Sequence, residues 1–331
     1  MANTVYFAGS EPDCVSGGFT LSTTGVDTNY VRTGMRVDDN LDSVIITLAE
    51  EIGANSADGF WIHYRKYQDN ANESDLANPV LIYDQSNNLI AGLLGTLGWG
   101  NVKARVYAND LTYSETSNFA GVYGNDVVDG ITVTVDIHVY TNENAYAQLD
   151  VFVNGNQVAT VTDTSGYNCG MKKAVFARPI ANTGYYCIYS EFIVANFDTR
   201  GLRVGTYIPT GDGTYTDGAG TYANIDETNP DTAVIALAEV GDKQSYTLAK
   251  YGSPSLPSIL AVAVNGLVSS DGTNDMQAGL RIDGVDYFSA DLGLGASFTP
   301  TSVVWNRHPG NNGWLPQNPA SDIEVIYKVV A

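Results

Sequence analysis

"YSEFIVANFDTRGLRV" occupies residues 189–204 and has the pattern of a buried strand that ends in a charged turn containing Gly201. The residues after it carry almost no apolar pattern until "DTAVIALAEV", residues 231–240. A strand followed by such a gap is typical of the last element of a domain. We therefore expect a first domain to close near Val204.

Apolar and polar residues alternate along most of the chain before this stretch. In "ITVTVDIHVY", residues 131–140, isoleucine and valine occupy every second position, which is typical of a strand with one face on a core. "LDVFVNGNQVATVT", residues 149–162, predicts a hairpin, because Asn154 and Gly155 supply the positive φ angles of a tight turn. Many short runs of this kind predict an all-β sandwich or jelly roll. Only "TAVIALAEV", residues 232–240, could form a short helix.

Two runs define the end of the first domain. "KKAVFARPI" (172–180) and "YYCIYSEFIV" (185–194) flank the turn-forming residues 181–184, so they predict a hairpin. The residues after Val204 are rich in Gly, Thr and Tyr without core periodicity, which favours a connection that runs over a surface. Alternation then resumes up to the last residue. The predicted organisation is a first domain at 1–204, a connecting segment at 205–224 and a second, smaller β-sandwich domain at 225–331.

The charge balance limits the partners. The 331 residues include 37 Asp and Glu against 16 Lys and Arg, which gives a net charge of -21. Such a surface repels nucleic acid and anionic membrane, so we expect neither as a partner. No run of about 18 apolar residues predicts a membrane span, and the first residues lack the basic and apolar regions of a secretory signal. We expect synthesis in a cytoplasm.

The three cysteines, Cys14, Cys169 and Cys187, form neither a disulfide framework nor a zinc motif. In the predicted hairpin, Cys169 lies about nine positions beyond the residue opposite Cys187. That separation is roughly 30 Å, whereas a disulfide needs Cα atoms within roughly 7 Å. We expect Cys169 and Cys187 to be unbridged.

No catalytic arrangement is present in the sequence. Retaining glycosidases need two carboxyl groups about 5 Å apart in one cleft. Glu50 and Glu51 are adjacent and point to opposite faces of a strand, and Glu191 is isolated. The chain has three histidines, and none lies in a nucleophile or zinc motif. The sequence favours a protein that is not an enzyme.

Polar and aromatic residues cluster on one face of two predicted strands. His63 and His138 lie on these polar faces, beside aromatic residues. If the two strands are neighbours, they form an aromatic, polar surface that suits the stacking of sugar rings; the alternative is an ordinary solvated sheet face. The candidate glycan-facing residues are Trp61, His63, Arg65, Tyr67, Asp136, His138 and Tyr140.

Calcium is the one cofactor that the sequence leaves open, since it binds oxygens of flexible acidic loops. None of the acidic loops has EF-hand spacing, and the alternative is that they are ordinary loops of a strongly acidic chain. The candidate ligands are Asp38, Asp39, Asn40, Asp42, Asp69, Asn70, Asn72, Glu73, Asp75, Asp126 and Asp129.

The layout resembles a family of tailed-bacteriophage virion proteins in which a concanavalin A-like (laminin G-like) sandwich precedes a small β domain. "YSEFIVANFDTRGLRV" is similar to the end of that family's first domain, and the hairpin at 149–162 is similar to a strand pair of laminin G-like sandwiches. "YANIDETNPDTA" (222–233) resembles the opening of its last domain. "SILAVAVNGLVSSDG" (258–272) and "PASDIEVIYKVVA" (319–331) follow its strand pattern.

The resemblance implies a concanavalin A-like fold and a structural role in the virion, as a head decoration, fibre or tail component. Its partners would be other virion proteins and its own copies, as a homo-oligomer and most simply a trimer, and its location would be the virion. The alternative function is a receptor module that recognises a host glycan. Aromatic residues of the second domain are candidates for subunit contact, or else pack within it: Tyr287, Trp305, Trp314 and Tyr327.

Overall fold

The computed structural model describes residues 3–38, 42–53, 56–68, 79–95, 102–108, 112–119, 131–165, 170–177, 186–226, 233–252 and 258–331. The chain is all-β and divides into two compact units. Unit 1 holds most of the chain up to Arg203, and unit 2 holds Val204–Ala331 together with two short N-terminal segments, Glu11–Cys14 and Thr28–Arg32.

Unit 1 contains fourteen strands among the described residues. They are β1 Val5–Gly9, β2 Thr20–Ser22, β3 Gly34–Val37, β4 Ser43–Ile52, β5 Phe60–Gln68, β6 Val80–Tyr83, β7 Leu89–Gly95, β8 Val102–Tyr107, β9 Tyr113–Glu115, β10 Ile131–Thr141, β11 Ala147–Val153, β12 Asn156–Asp163, β13 Met171–Ala177 and β14 Cys187–Ala195.

These strands form two antiparallel sheets of a sandwich. The first sheet has the order β12-β11-β10-β5-β14-β3-β2, with β1 also paired to β14, and the second has the order β4-β13-β6-β7-β8-β9. Aromatic rings join the inner faces: the ring centroid of Phe176 on β13 lies 5.0 Å from that of Tyr64 and 4.8 Å from that of Phe192. All three side chains are fully buried, so the core of unit 1 lies between the sheets.

The hairpin predicted at 149–162 is confirmed. Strands β11 and β12 pair on either side of Asn154 and Gly155, whose φ angles are 49° and 80°. Two successive positive φ angles match the twist of the flanking strands, which explains why Asn-Gly stands here.

The hairpin predicted from residues 172–180 and 185–194 is wrong. Strand β13 pairs with β4 and β6 in the second sheet, whereas β14 pairs with β1, β3 and β5 in the first sheet. Every residue of β14 is buried, so this strand needs neighbours on both edges and cover on both faces. The predicted turn at 181–184 and Cys169 lie outside the described residues; Cys187 is a buried free thiol.

Unit 2 contains a five-stranded antiparallel sheet, β15-β16-β21-β18-β19, and a two-stranded one, β17-β20. Its buried core includes Val264, Leu280, Leu315 and Ile323. Its strands are β15 Tyr207–Thr216, β16 Lys243–Lys250, β17 Val262–Val268, β18 Asp275–Ile282, β19 Val285–Phe288, β20 Thr299–Trp305 and β21 Ile323–Val330.

The start of unit 2 differs from the expectations in two places. Half of the segment 205–224, predicted as a surface connection, forms β15, which pairs with β16, so that prediction is wrong. The Gly and Thr residues of β15 interrupt the alternation of apolar and polar positions that identifies a strand. An edge strand that is only partly buried can form without a regular row of apolar side chains. Residues 233–240, which the sequence left open as a short helix, are irregular, and Ala236 bridges to Ala219. Helices in the described residues are single turns, and none could span a bilayer.

Candidate functional site

The candidate site lies on the outer face of the first sheet of unit 1. Strands β5 and β10 are antiparallel neighbours, with His63 opposite Asp136 and Trp61 opposite His138. The two polar faces inferred from the sequence therefore meet, as the glycan hypothesis requires. They divide, however, into two parts with different surroundings, which we call the covered half and the open half.

The covered half consists of His63, Arg65, Asp136 and Glu191, over which residues 196–203 pass. His63 and Asp136 are 1% and 0% exposed. Nδ1 of His63 lies 2.8 Å from Oδ1 of Asp136, and the hydroxyl of Thr199 donates to the same oxygen at 2.7 Å. Because carboxylate oxygens only accept, Nδ1 of His63 is the donor.

A buried ion-pair cluster fixes the end of the covering segment. Glu191 is fully buried, has a φ angle of 53° and lies where the pairing of β14 with β5 shifts register. Arg203 donates to its carboxylate from Nε at 2.6 Å and from Nη2 at 2.8 Å, and also to Asp27 at 2.9 Å. Nε of Arg65 lies 3.1 Å from Glu191. Burial alone would lower the pKa of Arg203, but these carboxylates outweigh it and raise that pKa.

Two of the predicted glycan-facing residues are therefore not available to a ligand: His63 and Asp136 are buried under the chain. For these two the prediction is wrong, because alternation along a strand places a side chain on a face but does not show what covers that face. The Arg65 side chain is 21% exposed and paired with buried Glu191. Tyr67, at the far end, is half-buried beside Tyr186, with ring centroids 6.2 Å apart.

The open half consists of Trp61, His138 and Tyr140 with Gln148, Asp150 and Thr160. The first three form a column of stacked rings: Trp61 and His138 have centroids 4.3 Å apart, and His138 and Tyr140 have centroids 4.2 Å apart, with interplanar angles of 12° and 13°. Stacked rings across and along strands hold each other in fixed orientations. The column is preformed; Trp61 is only 7% exposed within it, whereas His138 and Tyr140 are partly exposed.

His138 is held in a single neutral form. Nε2 lies 2.9 Å from the carbonyl oxygen of Asp58, so it carries the hydrogen and donates. Burial lowers the pKa of His138, and the nearby carboxylates of Asp58, Asp150 and Asp198 only partly oppose that effect. The other ring nitrogen, Nδ1, then carries a lone pair and can accept a hydrogen bond.

Asp150 organises the polar side of the open half. It is 8% exposed and accepts from the hydroxyl of Thr160 at 2.7 Å, the amide of Gln148 at 3.1 Å and the phenol of Tyr140 at 3.2 Å. Burial and the charge of Asp150 raise the pKa of Tyr140 to about 12, so the phenol remains a donor. Asp150, Gln148 and Thr160 were not among the sequence candidates, although Asp150 and Thr160 occupy polar positions of the predicted hairpin.

Arg200 joins the open half from the covering segment. Its guanidinium lies 4.4 Å from the ring centroid of Phe152 and 5.6 Å from that of Trp61. It also donates to Asp198 from Nε at 2.9 Å and from Nη2 at 2.5 Å. This hydrogen-bonded pair raises the pKa of Arg200 and lowers that of Asp198. The charge of Arg200 is thus largely neutralised by its own neighbour.

A pocket opens beside the aromatic column, with a volume of about 360 Å³. Trp61, His138 and Phe197 form its aromatic lining, and Asp58, Asn3 and Asn196 add polar groups. The arrangement offers apolar ring surface beside hydrogen-bonding groups. Such a combination is typical of a binding site for a small polar molecule.

No metal site is found in the described parts of the chain, where no three His, Cys, Asp or Glu side chains come together in a suitable arrangement. Of the predicted calcium ligands, only Asp38 and Asp42 lie in the described ranges. The other candidates, in 39–40, 69–75 and 126–129, lie outside them.

The aromatic residues predicted for subunit contact differ in their surroundings within unit 2. Tyr287, Trp305 and Tyr327 pack against the unit's own core, as in the alternative considered from the sequence. Trp314 is 66% exposed, and the guanidinium of Arg307 lies 4.1 Å from its ring centroid.

No described protein family matches the sequence, and no curated protein does. Solved structures with a similar fold include the receptor-binding domain of botulinum neurotoxin D, at 11% identity and a TM-score of 0.44 over 99% of this chain and 97% of that one. The binding domain of Paraclostridial Mosquitocidal Protein 1 has 14% identity and a TM-score of 0.41 over 58% of this chain. This chain spans about half (49%) of the length of that domain.

An endo-β-1,4-glucuronan lyase from the fungus Trichoderma reesei gives 8% identity and a TM-score of 0.42, over 59% of this chain and 97% of the lyase. At these values, the three likenesses concern general β architecture. They assign no role to any residue of the open half.

Proposed function

We propose that this chain is a non-catalytic module that binds carbohydrate through the open half. The observation that supports this proposal is the position of the Trp61–His138–Tyr140 column between the hydrogen-bonding network of Asp150 and a pocket of about 360 Å³. Aromatic surface and convergent polar groups meet there on a rigid sheet.

The chemistry of a sugar fits both parts of the open half. A pyranose ring has faces of C–H groups that pack on aromatic surface, and a rim of hydroxyls that donate and accept. Asp150 and Nδ1 of His138 accept, whereas Gln148 and Asn196 have amides that both donate and accept. Because the ring column and the Asp150 network are held by contacts within the sheet, binding would require little reordering of these side chains.

A glycan array probed with the full chain at neutral pH tests the proposal. We expect saturable binding, and we expect Tyr140→Ala to weaken it at least about tenfold, because this change removes the terminal ring of the column and one donor to Asp150. Tyr113→Ala is the matched control, since Tyr113 is an exposed ring on the second sheet, packed on Arg105. Absence of saturable binding by the wild-type chain would refute the proposal.

A structural role in a tailed-phage virion is the second candidate, in which the chain assembles with other virion proteins and with its own copies. The resemblance of residues 189–204 supports it, and so do exposed apolar side chains of unit 2, including Val285, Phe298 and Trp314. Aromatic residues are enriched at protein interfaces. Light scattering should give the mass of a homo-oligomer, most simply a trimer, and Trp314→Ala should reduce it; a monomer at micromolar concentration would count against this candidate.

A further inference from the structure

The charges around the open half restrict the class of sugar that fits it. Asp58 lines the pocket, Asp150 accepts from the phenol of Tyr140, and Asp198 accepts from Arg200, whose guanidinium lies over the aromatic rings. The hydrogen-bond donors to Asp150 are neutral side chains, and no ion pair among the described residues involves it. Its negative charge is therefore solvated by hydroxyls and an amide rather than neutralised.

Arg200 is the cation placed over the aromatic rings of the open half, and it does not reverse the balance. Nε and Nη2 of Arg200 both donate to Asp198, which fixes the fork of the guanidinium on a carboxylate of the same loop. Three carboxylates against one guanidinium leave a net charge of about -2 around the open half, within a chain of net charge -21. An incoming carboxylate would meet repulsion from two uncompensated neighbours.

From this balance we infer that the open half takes neutral hexopyranose units and rejects sialic acid and uronic acid units. The inference rests on the proposed carbohydrate-binding function and adds the ligand class. Neutral hydroxyls satisfy Asp58 and Asp150 without charge repulsion, whereas like charges brought together in a binding site oppose association. The same acidic surroundings slow the approach of anionic sugars before contact.

Matched pairs of glycans test this inference: lactose against sialyllactose, and a cello-oligosaccharide against the corresponding β-1,4-linked oligoglucuronate. The full chain is titrated with each at low salt, over an array that also contains gluco-, galacto- and manno-oligosaccharides. We expect every bound neutral glycan to bind at least about tenfold more tightly than its acidic counterpart. The difference in affinity between neutral and acidic glycans should decrease in high salt, because screening weakens the charge repulsion.

Asp198→Asn sharpens the test. This change removes one negative charge and releases the guanidinium of Arg200, so the ratio of acidic-glycan affinity to neutral-glycan affinity should rise at least about tenfold. Asp271→Asn, at an exposed turn of unit 2, is the control and should change neither class. If acidic glycans bind as tightly as their neutral counterparts, or if Asp198→Asn leaves the preference for neutral glycans unchanged, the inference is wrong but the proposed function stands. No saturable binding of any glycan would overturn the proposed function and the inference with it.

Discussion

The covered half and the open half of one sheet face share strands β5 and β10 and the same alternation, yet they differ in what lies over them. In the covered half, residues 196–203 bury His63 and Asp136, and Glu191 is held by two arginines. In the open half, His138 and Tyr140 stay partly exposed, and a pocket opens beside His138. A polar strand face remains available to a ligand only where no later segment of the chain covers it.

The "DTRG" motif illustrates this difference residue by residue. Thr199 binds Asp136 in the covered half, whereas Arg200, one residue later, lies over the rings of the open half. Arg203 then closes the segment on Glu191. The motif holds the chain on the sheet and also contributes to the border of the site.

The largest expected effect comes from breaking the ion pairs of the covered half. Arg203→Ala removes from buried Glu191 the guanidinium that donates two hydrogen bonds to it, and should lower the free energy of unfolding by about 3 to 5 kcal/mol. Arg200→Ala breaks the exposed pair with Asp198 and should cost less than about 1 kcal/mol. Urea unfolding of both variants measures the difference. Equal losses would show that burial does not distinguish the two halves.

A smaller effect is expected from the hydroxyls that hold each half. Thr199→Val removes a donor to buried Asp136 and should lower the unfolding free energy by about 1 to 3 kcal/mol. Thr160→Val removes a donor to Asp150 at an exposed position and should change it by only about 0.5 kcal/mol. The comparison fails if Thr160→Val is as destabilising as Thr199→Val in the same unfolding experiment.

The smallest effect concerns the pH dependence of the open half. Burial lowers the pKa of His138, so the unfolded chain binds this proton at a higher pH than the folded chain does. The contribution of His138 to stability is therefore complete above about pH 6.5 and declines as the pH falls below that value. Subtracting the stability-pH curve of His138→Gln from that of the wild type should reveal this decline.

The subtraction is needed because other groups titrate in the opposite sense. Burial raises the pKa of Glu11 to about 7 and that of Asp13 to about 6, so both favour the folded chain as the pH falls. They are present in both proteins and cancel in the difference. A difference curve that is flat from pH 8 to pH 5 would contradict the assignment to His138.

Local patterns predicted part of this architecture. The alternation in residues 131–140 and the Asn154–Gly155 turn gave the outer face and the hairpin correctly, because both depend on neighbouring residues. The cover over His63 could not be predicted, since it depends on Thr199, far along the chain, binding Asp136. The partners of β13 and β14 were missed for the same reason: the choice between two sheets is non-local.

Part of the open half was named from the sequence, and binding of a glycan there stays a prediction. Trp61, His138 and Tyr140 belong to the open half, but Asp150 was missed, although it faces His138 across the β10–β11 pair. Alternation places both His138 and Asp150 on the polar face of their strands, so the two lie on one surface once β10 and β11 are taken as neighbours. The contribution of Arg200 needed the tertiary structure, because its segment has no regular pairing.

The central claim is that ligand binds the open half and leaves the covered half untouched. Amide chemical-shift mapping of the full chain tests it most directly, with the neutral oligosaccharide that the chain retains most strongly. We expect shifts at Trp61, His138, Tyr140 and Asp150, saturating with a single dissociation constant, and no shifts at Glu191 or Arg203. Shifts centred on Glu191 and Arg203, or on unit 2 with Trp61 and His138 unchanged, would contradict the account.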